Sequence, residues 1–278
     1  MSTASTTLDQ QLHYADIGQG DPVIFLNGLA GDHLYWMGQV RAFSSRYRCL
    51  AIDNRDSGRS FYASKPYSLG ELADDVFGLL QSLQLPPAHV VGLSLGGMIA
   101  QELALRYPDR VRSLFLADTL GRTDDWFFAT LQAFGLIRRQ VADTPAFFQA
   151  LLPWLVSHRF FEHPGRAEWL SALFRQNPHP QRIEGFFRQL EAVRGLDTLD
   201  RLGSLHCPVW VLAGEDDMIA PPRYARQLAE HVPQARLVLL PGVGHAPPIE
   251  DSRSFNRVLG EFLENVGQVF DLPDSRAS

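Results

Sequence analysis

Short, continuous apolar runs recur along this chain. Pro22-Val23-Ile24-Phe25-Leu26, Arg48-Cys49-Leu50-Ala51-Ile52, Ser113-Leu114-Phe115-Leu116-Ala117 and Pro208-Val209-Trp210-Val211-Leu212-Ala213 are the clearest. Such a run, bounded by turn residues, predicts a strand buried on both faces. Val90-Val91 opens a similar strand, and Ala235 to Leu240 forms a last one. Between these runs the apolar positions fall at helical spacing. Helices are predicted around Tyr35 to Phe43, from Leu69 to Leu85, after Ser94 as far as Tyr107-Pro108, after Pro221-Pro222, and from Ser252 to Asn265. Gln10 to Ile17 alternates in part and predicts an early antiparallel strand. The polar tail from Gly267 is expected to fray. Strand and helix alternate, which predicts an α/β fold with a mostly parallel, doubly wound sheet.

From residue 121 to 203 the pattern changes. No strand-like run occurs, and Pro145, Pro153, Pro164, Pro178 and Pro180 break the segment into helices. It is dense in Phe and Trp, more than a thin helical layer can bury within itself. The expected organisation is a core domain of residues 1–120 and 204–278 with a helical cap inserted at 121–203. Some cap aromatics should face the sheet and roof a pocket. Trp126 and Phe186 are taken as pocket-lining, substrate-binding positions.

Bulk properties narrow the classes. The formal charge of −6 leaves no basic footprint for nucleic acid or an anionic membrane. Cys49 and Cys207 are the only cysteines and make no disulfide framework. The first residues lack a basic and an apolar signal region, and no apolar run approaches the length of a membrane span. The expectation is a soluble cytoplasmic protein whose partner is a small molecule; oligomeric state is not readable.

In an open α/β sheet, ligands bind beyond the carboxyl ends of the strands. Ser94, Asp217 and His245 each follow a predicted strand. Ser94 stands in Gly92-Leu93-Ser94-Leu95-Gly96-Gly97, between a strand and a helix. That is what a nucleophile elbow requires, although a plain Gly/Ser loop has the same composition. A serine needs a base, and histidine suits that role with a carboxylate to orient it. His245 follows a core strand within a glycine-rich turn. Backbone N–H groups of Leu29 and Leu95 are the expected oxyanion hole. Asp118, ending the strand after the elbow, rivals Asp217 as the acid. No metal-ligand spacing such as His-Glu-x-x-His and no phosphate-cradling loop is present, so neither metal nor cofactor is expected.

These residues resemble the α/β-hydrolase superfamily over roughly residues 20 to 265. The elbow resembles the family's. Asp53-Asn54-Arg55-Asp56-Ser57-Gly58-Arg59-Ser60 resembles its Asp-x-Arg-x-x-Gly-x-Ser loop, with Asp53 and Arg55 structural. Gly214-Glu215-Asp216-Asp217 resembles its acid turn, and Gly244-His245 with Glu250 its histidine turn. Asn27-Gly28 departs from the common His-Gly, which puts the hydrogen bonding around the oxyanion hole in question. Esterases and 3-oxoadipate enol-lactonase-like proteins are the nearest in style. Serine at the elbow separates the chain from dehalogenases and epoxide hydrolases of this fold, which use aspartate.

The resemblance implies a serine hydrolase that cleaves a small or medium ester through an acyl-enzyme. An enol-lactonase or a carbon–carbon bond hydrolase would use the same triad, and perhydrolysis stays open. An anionic substrate would want cations near the pocket, for which Arg122, Arg138, Arg139, Arg159, Arg166 and Arg188 are available. A non-catalytic ligand receptor on the same fold is the alternative from another class.

Overall fold

The computed structural model describes residues 11–141 and 143–270, and the side chains of these up to residue 266. The chain runs β1 (Tyr14–Ile17), β2 (Pro22–Leu26), a 3-10 turn (His33–Trp36), α1 (Met37–Phe43), β3 (Arg48–Ile52), α2 (Leu69–Ser82), β4 (Ala88–Leu93), α3 (Leu95–Arg106) and β5 (Val111–Ala117). Five helices follow: α4 (Asp125–Gln140), α5 (Thr144–Leu155), α6 (His158–Glu162), α7 (Arg166–Arg175) and α8 (Ile183–Arg194). The chain then returns to the sheet with β6 (Val209–Gly214), α9 (Pro222–His231), β7 (Arg236–Leu240), α10 (Pro247–Glu250) and α11 (Ser252–Phe270).

The strands form one sheet in the order β1-β3-β2-β4-β5-β6-β7. β1 pairs antiparallel with β3, and every other pair is parallel. β2 and β4 are buried along their whole length, which is why they read as continuous apolar runs. Side chains alternate between two cores. Ile24, Leu26, Leu50, Val90 and Leu114 pack toward α2 and α3, while Val23, Phe25, Ala51, Val91 and Phe115 pack toward α1 and α11. The chain moves from β2 outward to β3 and then crosses back to β4 on the other side of β2. The order therefore reverses between β2 and β4, and the carboxyl ends of those two strands border the crevice where ligands bind in such sheets.

The sequence places these elements well, with local exceptions. β1 spans only Tyr14–Ile17, shorter than the expected strand, whose Gln10 lies outside the described residues. The last helix continues through Gly267 to Phe270; the rest of the tail, and the N-terminal residues read for a leader, lie outside the described residues. Pro153 sits inside α5, and the helix ends at Leu155. Pro145 occupies the first turn of α5, where its missing N–H costs nothing. Residues 121–203 add no strand to the sheet. Among the described residues no helix is long and apolar enough to cross a membrane.

Candidate active site

Strand β4 ends at Leu93, and Ser94 makes the turn into α3 with φ 53 and ψ −116. Positive φ in a residue with a Cβ is strained, and such strain clusters at functional sites. The neighbours show what the turn demands. A Cβ at Gly96 would lie 2.1 Å from Leu26 O, and one at Gly92 would lie 2.4 Å from Gly96 O. Only glycine lets β2, β4 and α3 approach this closely. The backbone of Ser94 is held by donation to Ala117 O (2.9 Å), and its carbonyl accepts from Thr119 Oγ1 at 2.7 Å. Its hydroxyl makes no capping bond to its own helix and borders a cavity.

The turn after β2 lies against the elbow. A Cβ at Gly28 would sit 3.4 Å from Ser94 Cβ, and Gly31 N donates to Gly28 O (3.1 Å) to close the turn. Leu29 occupies this turn and lines the cavity. Leu95 opens α3, so its N–H has no acceptor four residues back within the helix. Asn27 pins the strand end: its Nδ2 donates to Ile52 O at 2.7 Å, and its carbonyl accepts from Asn54 Nδ2 at 3.2 Å. The amide at Asn27 therefore braces the turn from behind.

Strands β6 and β7 bring up the other two groups. His245 Nδ1 donates to Asp217 Oδ2 at 2.8 Å, both residues being buried. Asp217 Oδ1 accepts from Ile219 N (2.7 Å) and Ala220 N (2.9 Å), which fixes the carboxylate. With Nδ1 committed, His245 Nε2 is the free acceptor. Ser94 and His245 line the same cavity. Glu215 is exposed, and Asp216 lies toward His158 at 3.9 Å, away from the imidazole. Asp118 is also buried beside Asp217, with Oδ1 accepting from Gly214 N at 2.9 Å. Burial, and then the charge of Asp217, push the Asp118 carboxyl well above the usual carboxylate range.

Glu250 organises the histidine loop. Its carboxylate accepts from Gly244 N (2.7 Å), Ser157 N (3.0 Å) and Ser157 Oγ. One buried anion thus ties the residue before His245 to the turn between α5 and α6. The loop Asp53 to Ser60 is braced in the same manner. Asp53 accepts from His33 N, His33 Nδ1 and Arg59 N, and Arg55 pairs with Asp75. Asp56 pairs with Arg188 of α8, and Gln189 Nε2 donates to Arg55 O at 2.9 Å.

The cavity has a volume of about 380 Å³. Leu131 and Phe134 of α4, Phe147 and Leu151 of α5, Leu170 and Phe174 of α7 and Phe186 of α8 line it, with Ile219 and Ile249 from the core. Phe186 is buried at 1% exposure and meets Phe147 edge-on at 5.3 Å. Trp126 is a correction. It stands at the first turn of α4, 46% exposed, under the Arg223 guanidinium at 4.9 Å, outside the lining. The arginines considered as anion binders are also turned elsewhere. Arg122 pairs with Asp197 and Asp200, Arg166 donates to Glu250 O, and Arg138 donates to Val141 O and Gln181 O. Arg139 stacks over Phe187, and Arg159 lies against Gly242. Among the described residues no Lys or Arg lines the cavity. The sequence missed Leu131, Phe134, Phe147 and Leu151. Their helical spacing was the available signal, but it does not say which face meets the sheet.

Two clusters among the described residues hold three metal-capable groups: His13 with His33 and Asp53, and Asp118 with Asp217 and His245. In each, a histidine is already hydrogen-bonded to a carboxylate.

Comparison with known proteins agrees with this architecture. A model of the alpha/beta hydrolase fold matches residues 21–252. The chain is 30% identical to 3-oxoadipate enol-lactonase 2 of Acinetobacter baylyi over 259 residues, covering 91% of this chain and 93% of that one. A thermophilic esterase from Thermogutta terrifontis superposes with a TM-score of 0.81 at 28% identity, covering 92% of this chain and 93% of its own. The enol-lactonase from Burkholderia xenovorans LB400 superposes with a TM-score of 0.82 at 28% identity, covering 91% and 96%. By its sheet order, its elbow and these matches, the chain belongs to the alpha/beta hydrolase fold family.

Proposed function

We propose that the protein is a serine hydrolase that cleaves a neutral ester or lactone with an apolar acyl part. Ser94 Oγ attacks the carbonyl carbon, and His245 Nε2 takes the hydroxyl proton. Asp217 holds the imidazole in the required tautomer and stabilises the imidazolium that forms. The N–H groups of Leu29 and Leu95 donate to the oxyanion. His245 returns the proton to the departing alkoxide, and water, activated by the same imidazole, hydrolyses the acyl-enzyme. Residues 121–203 act as a cap: they supply most of the apolar wall and select the acyl chain.

The observation that carries this reading is the strained Ser94 beside a cavity shared with His245, whose Nδ1 is 2.8 Å from the buried Asp217. The apolar lining, and the commitment of these arginines to other partners, favour a neutral substrate over an anionic enol-lactone. Desolvating a carboxylate without a cationic partner is costly. The test is a set of aryl esters and lactones assayed with wild type and Ser94→Ala. Each acyl chain is offered with a methyl end and with a carboxylate end. The neutral member should be turned over at least ~100-fold faster, a difference of about 2.7 kcal/mol. Equal rates would refute the neutral-substrate reading, and unchanged turnover by Ser94→Ala would refute the nucleophile.

A further inference from the structure

Asp118 is used by none of the steps above, yet it is fully buried beside the acid that orients the base. It directly follows β5, next to β6 in the sheet, so parallel pairing brings Asp118 and the Asp217 turn to the same edge. Its backbone is held at φ 45, in the left-handed region that residues with a Cβ avoid. Ligand atoms of Asp118, Asp217 and His245 all lie within 4.8 Å of one another. Asp118 Oδ1 accepts from Gly214 N, but Oδ2 is buried with no partner so long as both carboxyls are ionised. Two carboxylates are acceptors only, so neither can satisfy the other.

We propose that Asp118 is a positioning residue that keeps its proton and donates it in a hydrogen bond to Asp217, so that the buried pair carries a single negative charge behind His245. The idea rests on Asp217 and His245 being the orienting acid and the base. One proton on Asp118 Oδ2 turns an acceptor facing an acceptor into a charge-assisted O–H···O⁻ bond, the stronger kind. Asp217 already accepts from Ile219 N, Ala220 N and His245 Nδ1. The Asp118 hydroxyl adds a fourth donor and fills the four lone-pair sites of the carboxylate.

The surroundings keep the proton in place. After burial, the charge of Asp217 acts most strongly on Asp118; the Gly214 N–H opposes it, and the Asp217 side-chain bond and then the charge of Glu250 in α10 again favour the protonated form. From the 3-10 turn, the buried phenol of Tyr35 faces the same two acids, Asp118 and Glu250, and is itself held neutral. His245, from the loop after β7, is the only one of these groups that becomes cationic, and it does so during turnover. The added donor fixes the Asp217 carboxylate in the orientation from which it holds His245 Nδ1.

The test has a spectroscopic arm and a kinetic arm. At a pH above the ordinary carboxylate range, the infrared spectrum of the wild type should show a protonated-carboxyl C=O stretch that shifts in D₂O. Asp118→Asn should lack it. Asparagine is the conservative rescue, because its Nδ2 donates to Asp217 and its Oδ1 accepts from Gly214. Asp118→Asn should keep kcat/KM within about threefold, with its acid limb unmoved. Asp118→Ala removes the donor, and it should lower kcat/KM and displace the acid limb of its pH profile. A wild-type spectrum with no such band overturns the proposal without any variant being made. So does a band that survives Asp118→Asn, or an Asn variant as impaired and as shifted as the Ala variant. Ser94→Ala that still turned over ester would defeat the triad, and the band would be unaffected, so the two failures are distinguishable.

Discussion

Replacing Glu250 with glutamine changes one oxygen to an NH₂ and removes one charge with little change of shape. In the wild type the carboxylate faces donors on both oxygens: Ser157 N and Oγ on one, Gly244 N on the other. Glutamine can accept on one side only. Its NH₂ then faces an N–H, which leaves a buried backbone donor unpaired at a cost of about 1–3 kcal/mol. The surviving bonds also lose their charge assistance, worth on the order of 1 kcal/mol more. The expected total is about 2–4 kcal/mol. For a chain of this size each kcal/mol moves Tm by about 2–4 °C, so Tm should fall by roughly 4–16 °C. Gly244 precedes His245, so the imidazole should also be less well placed, and misplacement by about 1 Å costs on the order of 100-fold in rate. The assay is thermal unfolding together with kcat on one aryl ester. Ser157→Ala removes only the hydroxyl donor and serves as the control, with about 1 kcal/mol expected. If Glu250→Gln unfolds within a degree of the wild type and keeps full kcat, the coupling of the α5–α6 turn to the histidine loop is wrong.

Other substitutions test the remaining parts. Asp217→Asn should lower kcat by about 10⁴ with the fold intact, since the amide favours the wrong histidine tautomer. Phe186→Ala should shift the acyl-chain preference toward longer chains by about 1–3 kcal/mol, whereas Trp126→Ala should leave the profile unmoved; a chain-length series of aryl esters reads both. Gly96→Ala should fail to form the elbow, because its Cβ would sit 2.1 Å from Leu26 O; circular dichroism melts would reveal the loss. His89 is buried against Ser113 Oγ at 2.7 Å, and burial pushes its imidazole down to about 4 from an ordinary 6.5. The unfolded chain therefore binds a proton that the folded chain refuses. Stability should be full above pH 6.5 and fall by up to roughly 3 kcal/mol as the pH drops toward 4. Urea titrations of wild type and His89→Gln across that window would show the slope shrinking in the variant.

The parts of the fold that read from sequence are those where one physical demand fixes the residue type. Strands buried on both faces must be apolar throughout, so β2 to β6 stood out. The elbow needs glycine where β4, α3 and β2 crowd together, and Gly92 and Gly96 announced it. The helical insertion between β5 and β6 offered no such constraint. Aromatics occupy several faces of α4 to α8, and only packing decides that Phe134 looks inward while Trp126 lies under Arg223. The arginines suffered the same ambiguity. Arg188 reads as a loose cation in sequence but is spent on the buried Asp56. Both Asp118 and Asp217 were visible as strand-end acids. That they touch follows only once β5 and β6 are known to be neighbours.

The most direct test of the account is covalent. The protein is treated with a fluorophosphonate, and the intact mass and the modified peptide are read. One adduct per chain, located on Ser94 and absent from Ser94→Ala, with loss of ester turnover in proportion to labelling, is the predicted result. An adduct elsewhere, or turnover that survives complete labelling of Ser94, would contradict it.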